Sequence, residues 1–159
     1  MTVTQTSTGG APLHFEDLEV GVAWRSGGRT VTEADIAAFA GVSGDFNPIH
    51  VDAQYAADTV FGQRVAHGAL VLAIATGLRQ QQGTFRGTLK AWLGMRDWRF
   101  TAPVRIGDTV HVVTEVTELR DTKDPLAGLA IQRVEVRNQR GEAVAKGEFV
   151  TLMHRRDSR

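Results

Sequence analysis

No cysteine occurs among the 159 residues, which removes disulfides, thiolate metal sites and cysteine nucleophiles together. An excess of charge of either sign is missing as well. With 18 Lys and Arg against 18 Asp and Glu, no global field draws the chain to nucleic acid or to an anionic membrane, so neither is expected as a partner. Any anionic ligand must be held by local charges. Long apolar runs are also lacking: the longest, residues 69–75, falls far short of the ~20 residues that cross a bilayer. The five histidines are far apart in sequence, no His-Glu-x-x-His pattern occurs, and no glycine-rich phosphate loop follows a strand. No metal and no nucleotide cofactor are therefore expected. Residues 1–12 are rich in Thr, Ser and Gly without the basic flank or apolar core of a signal peptide. They read as a loose tail ahead of one domain, 13–159, in a reducing, cytoplasmic setting. The length suits one core, and neither an internal repeat nor a linker argues for a second.

What is present is organised around one stretch, Val42-Ser43-Gly44-Asp45-Phe46-Asn47-Pro48-Ile49-His50. Gly44 reaches backbone angles closed to other residues, and Pro48 fixes its own φ while pushing Asn47 away from helical geometry. The segment reads as a bent, defined loop in which Asp45 and His50 converge on one small volume. A carboxylate beside an imidazole is what proton transfer at neutral pH requires. An Asp in an Asx-turn and a His that caps a helix would account for the same letters.

Ser-Gly-Asp-Phe-Asn-Pro-Ile-His, with Ala56 six positions beyond the histidine, closely resembles the hydratase-2 motif of MaoC-like (R)-specific enoyl-CoA hydratases. The likeness extends from near Leu18 onward: residues 31–40 resemble the helix before the motif, Val65-Ala66-His67-Gly68 the start of the family's central helix, and 99–110 its following strand pair. The resemblance implies a hot-dog fold, a homodimer, and hydration of a trans-2-enoyl thioester to the (R)-3-hydroxyacyl thioester. It also implies a catalytic Asp and His at Asp45 and His50, with coenzyme A or acyl-carrier protein entering only as the carrier of the substrate.

The rest of the chain supplies a scaffold. Residues 14–20 read as an extended entry and 23–29 as a first strand. Thr32 stands as an N-cap with Asp35 three residues on, and Val31 and Ile36 suit a hydrophobic staple, so a helix is expected over 33–40 with Ile36, Phe39 and Ala40 buried. Asp52 caps a second short helix over 53–58. Residues 68–78 are apolar on every face, which predicts a helix enclosed by other structure. Its first-turn N–H groups have no intrahelical partners, and Gly68 leaves its amide open to a polarised carbonyl, although Gly68 equally suits tight helix–sheet packing. Strands are expected over 89–100, covered on both sides, then 109–119, 129–137 and 143–154, with a tight turn at 138–141. One buried helix followed by a long antiparallel meander gives an α+β domain, a curved sheet wrapped round a helix.

Gly68 joins Asp45 and His50 as a catalytic candidate, and Asn47, Arg64 and His67 are the substrate-binding candidates, His67 being open to a purely structural role. Arg64, Arg86, Arg96 and Lys123 are cations suited to coenzyme A phosphates, and Trp92 and Trp98 suit either an acyl tunnel or ordinary core. Three functions fit: a hydratase/dehydratase, an acyl-CoA thioesterase on the same fold, and a non-catalytic acyl-CoA-binding module. Residues 68–78 contain no Asp or Glu, which lowers the second, and the intact Asp–His pair argues against the third.

Overall fold

The computed structural model describes residues 11–156. Most of the segment read as a tail, residues 1–10, lies outside them. After a single 3-10 turn, Phe15–Asp17, come β1 (Ala23–Arg25), β2 (Arg29–Thr30), α1 (Glu33–Ser43), α2 (Pro48–Val51), α3 (Ala53–Ala57), α4 (Gly68–Gln81), β3 (Leu89–Phe100), β4 (Thr109–Asp121), β5 (Ala127–Arg137) and β6 (Ala143–His154). The extended entry expected over 14–20 contains that turn because the Asp17 carboxylate accepts the His14 backbone N–H at 2.9 Å. The strand expected over 23–29 divides into β1 and β2 at Ser26-Gly27-Gly28.

The strands form one antiparallel sheet in the order β1-β4-β5-β6-β3, with β2 also on β4. β4, β5 and β6 are the expected meander, turned between β5 and β6 by Asn138, whose Oδ1 accepts the N–H groups of Arg140 and Glu142. β3 departs from it: it pairs with the last strand instead of the next one and forms an edge. Both faces of β3 were expected to be covered, yet within one chain Trp92, Leu93, Met95 and Phe100 are 42, 57, 40 and 54 % exposed. Its register slips between Arg96 and Arg99, where Asp97 takes φ 50°. This bulge lets Trp98 pack on Phe149 at 5.4 Å.

α4 lies against the concave side of the sheet. Leu70, Val71, Ile74, Ala75 and Leu78 recur at helical spacing and pack with Val110, Val112, Val134, Val136 and Phe149 in the main core. The expected full enclosure is met on this face only, since Ala69, Ala73 and Gly77 remain exposed. α1 begins with the expected capping box, the Thr32 Oγ1 accepting from Asp35 N while Asp35 Oδ2 accepts from Thr32 N. Thr32's backbone N–H is the main cause holding the Asp35 carboxyl below its ordinary range. Val31 and Ile36 are both buried beside the cap. α1 runs to Ser43, and Gly44, with φ 75°, ends it in left-handed geometry.

Asp108, buried where the chain enters β4, carries a testable electrostatic consequence. Burial pushes its carboxyl up, but the Arg105 N–H at 2.9 Å, Gln139 Nε2 at 2.7 Å and Arg140 Nη1 at 3.2 Å together bring it below the usual range. A carboxyl lowered by folding adds stability in full above its unfolded pKa of roughly 4, and that stability is lost as pH falls through the folded value. Asp108→Asn is expected to cost about 1–2 kcal/mol at pH 7, Arg140 being half exposed and screened. Urea midpoints at pH 7 and pH 3 should show the difference between parent and variant shrinking at the lower pH.

Candidate active site

Asp45 and His50 do come together, and His67 joins them: a carboxylate oxygen of Asp45 and one ring nitrogen from each histidine lie within 4.8 Å of one another. Local structure explains each position. Asp45 follows the Gly44 cap, takes its backbone N–H to Ser43 Oγ at 3.2 Å, and accepts the Asn47 N–H on Oδ1 at 3.1 Å. Its side chain stays exposed at the rim. Asn47 caps α2, its Oδ1 accepting from Ile49 N at 3.2 Å. His50 therefore sits on a one-turn helix opened by Pro48, where the sequence predicts a loop.

His50 is buried, and its Nδ1 lies 2.7 Å from the carbonyl oxygen of Val65. An oxygen with lone pairs only requires Nδ1 to carry a proton, so in the neutral ring Nε2 is the nitrogen with a free lone pair. The strap that presents this carbonyl is itself pinned, Val65 N donating to Ile49 O and Ala66 N to Val104 O. His67, also buried, stacks on His50 with ring centroids 3.7 Å apart at 29°. Its Nε2–H donates to the backbone carbonyl of Asp45 at 2.9 Å, while its Nδ1 has no partner among the described residues. His67 thus ties the main chain carrying Asp45 to the ring of His50. That link spans 22 residues of sequence, and the only early signal for it was the adjacency of His67 to Gly68.

The trio also has the composition of a metal-ligand set, one carboxylate and two imidazoles.

Beside His50 opens a pocket of about 370 Å³, walled by Ile49, Phe61, Val71, Phe100 and Val104 and bordered by Gly68. Gly68 is the first residue of α4, so its N–H and the positive end of the helix dipole face the site without an intrahelical acceptor. A Cβ there would lie 2.8 Å from the Phe100 ring, so a close approach requires glycine. The remaining candidates separate. Arg64 is engaged with Glu33 at 2.6 Å. Arg86 precedes β3, and Lys123 neighbours Asp124, which pairs with Lys90 at the start of β3, whereas the pocket lies at its Phe100 end. Within one chain these two are far from the pocket, and Arg96 lies midway along the strand. Trp92 and Trp98 both pack on Phe149.

A curved antiparallel sheet packed on one long helix is the hot-dog fold, and comparison with known proteins agrees. Residues 21–138 match the MaoC like domain, and the chain belongs to that family. It is 38% identical to an (R)-specific enoyl-CoA hydratase of Aeromonas caviae over 89% of this chain and 99% of that protein. The MaoC-like dehydratase of Rhodospirillum rubrum superposes with TM-score 0.81 at 32% identity, covering 91% of this chain and 98% of the other. A Mycobacterium tuberculosis protein with a double hotdog fold gives TM-score 0.80 at 26% identity over 92% of this chain and 46% of its own.

Proposed function

We propose that the chain is an (R)-specific enoyl-CoA hydratase, a hydro-lyase that reversibly adds water across a trans-2-enoyl thioester. The observation that carries this is the meeting of the Asp45 carboxylate and the His50 ring, with His50 and Gly68, the first residue of α4, both lining an apolar pocket. Names carried by relatives at 36–40% identity, among them 3-hydroxybutyryl-CoA dehydratase and 3-hydroxyacyl-thioester dehydratase, support the same reaction.

In this reading the thioester carbonyl accepts the Gly68 N–H, and the acyl chain enters the apolar pocket. A water donates to Asp45 and to the bare Nε2 of His50. As its oxygen bonds to C3, Asp45 takes one of its protons, and the C2=C3 electrons move to the thioester oxygen, where the amide and helix dipole stabilise the enolate. The pair then returns one proton to C2, through His50, and is left unchanged. No cofactor is needed beyond the coenzyme A or acyl-carrier protein carrying the substrate. α4 carries no Asp or Glu, so the thioesterase reading lacks a catalytic carboxylate on that helix.

A panel of enoyl-CoA esters of graded length tests the reaction. Loss of the conjugated enoyl absorbance with the thioester intact is the expected result; release of free coenzyme A from saturated acyl-CoA, without hydration, would replace it with the thioesterase.

A homodimer completes this reading, its two sheets joined along β3, whose exposed Trp92, Leu93 and Met95 form an apolar edge. Sizing in solution should give twice the chain mass for the parent, and Leu93→Glu should shift it toward the monomer. Cysteine-free composition fits a cytoplasmic setting.

A further inference from the structure

A second pocket, of about 120 Å³, lies toward the other end of α4. Phe85, Leu89, Trp92 and Phe149 give it apolar walls, and Thr76, Arg79 and Gln80 border it. Arg79 is the exceptional member. It is 7 % exposed, and among the described residues no carboxylate pairs with it. Its Nη2 donates to Gln132 Oε1, and among the described residues neither its Nε nor the Nε2 of fully buried Gln132 has an acceptor. Burial draws the guanidinium pKa down to about 10, which leaves it charged at neutral pH.

Two features partly compensate that charge. The guanidinium carbon lies 5.5 Å from the Phe85 ring centroid and 5.1 Å from that of Phe149, and Arg79 stands in the last turn of α4, near the negative end of its dipole. Neither supplies an oxygen for the orphaned N–H groups, and a buried cation without a full counter-charge is costly. The space exceeds the roughly 30 Å³ share of one water and has mainly apolar walls, which suits an anion attached to hydrocarbon better than a hydrated inorganic one.

We propose that this cavity is a binding site for a carboxylate borne on an apolar group, with Arg79 as its charged partner and Gln132, behind it, fixing the guanidinium through the Nη2 bond. Two sources share that chemistry. One is a free small organic acid. The other is the carboxyl end of a long acyl chain: Gly68 and Arg79 are eleven residues apart, three turns of one helix face, so their backbone positions are about 16 Å apart along the axis. The second source rests on the proposed hydratase activity; the first does not.

Thermal unfolding of the full chain with hexanoate or acetate, against chloride at matched ionic strength, reads the site directly. The expected result is a saturable rise in Tm of roughly 5–10 °C at a hundredfold excess over Kd. Arg79→Met should abolish the rise, while Arg79→Lys, which keeps the cation, should retain a smaller one. A second arm compares enoyl-CoA esters of equal length ending in methyl or carboxyl. A tenfold lower KM for the carboxyl ester, lost in Arg79→Met, assigns the acyl-chain source; a hexanoate response without ester preference assigns the free acid. Equal responses to chloride and carboxylate, or a response undiminished in Arg79→Met, together with no ester preference, overturn the site. If the parent hydrates no enoyl ester at all, the proposed activity fails and the thermal arm still decides the cavity.

Discussion

Asp45→Asn and His50→Gln are each expected to lower kcat for enoyl-CoA hydration by about two to four orders of magnitude, the usual worth of a positioned acid–base group. Asparagine keeps the shape and acceptor oxygen of Asp45 while removing its basicity. Glutamine removes the ring nitrogen whose lone pair is left free by the Nδ1–H bond to Val65. KM should change far less, because the apolar walls that hold the acyl chain are untouched. Both groups act on one water, so the double variant should lose much less than the product of the single losses. Steady-state rates for the four proteins, with circular dichroism to confirm folding, check this. Single variants as fast as the parent would remove both residues from the chemistry.

The second large effect isolates one backbone N–H. His67 has φ −58° and ψ 138°, the geometry a residue before proline adopts, and Gly68 is the first residue of α4, where proline is well tolerated. Gly68→Pro therefore removes the amide proton at little conformational cost, apart from the clash of its Cβ with Phe100 at 2.8 Å. Phe100→Ala relieves that clash, so the informative comparison is Gly68→Pro against Gly68→Ala, both carrying Phe100→Ala. The alanine protein keeps the N–H and the proline protein lacks it. A further loss in kcat of about 10²–10³ is expected for proline, the range for one oxyanion-hole donor. Equal rates would place the thioester oxygen elsewhere.

Features set by neighbours in sequence were legible from the chain alone. The Thr32–Asp35 cap, the Asp52 cap, the Asn138 turn and the existence of α4, though not its exposed face, all follow from residues close in sequence. So did the meeting of Asp45 and His50, five residues apart across a glycine and a proline. The one-turn helix α2 was not legible, since four residues show no periodicity. Pairing of β3 with β6 depends on the whole sheet, and alternation of apolar residues cannot tell an edge strand from a covered one. His67 was visible as a residue but its bond to the Asp45 carbonyl was not, because a contact between backbone oxygen and ring leaves no mark on residue type. Arg79 escaped for the opposite reason: a cation just past an apolar run looks like a solvated helix end, and only the fold buries it beside Phe149.

Hydration of crotonyl-CoA in D₂O, followed by the relative configuration of the new C–O bond at C3 and C–D bond at C2, tests the central claim most directly. A single Asp45–His50 pair that takes a proton from water and returns one to C2 works from one side of the substrate. The predicted product is (R)-3-hydroxybutyryl-CoA with oxygen and deuterium added to the same face. Addition to opposite faces, or deuterium scrambled at C2, would contradict it.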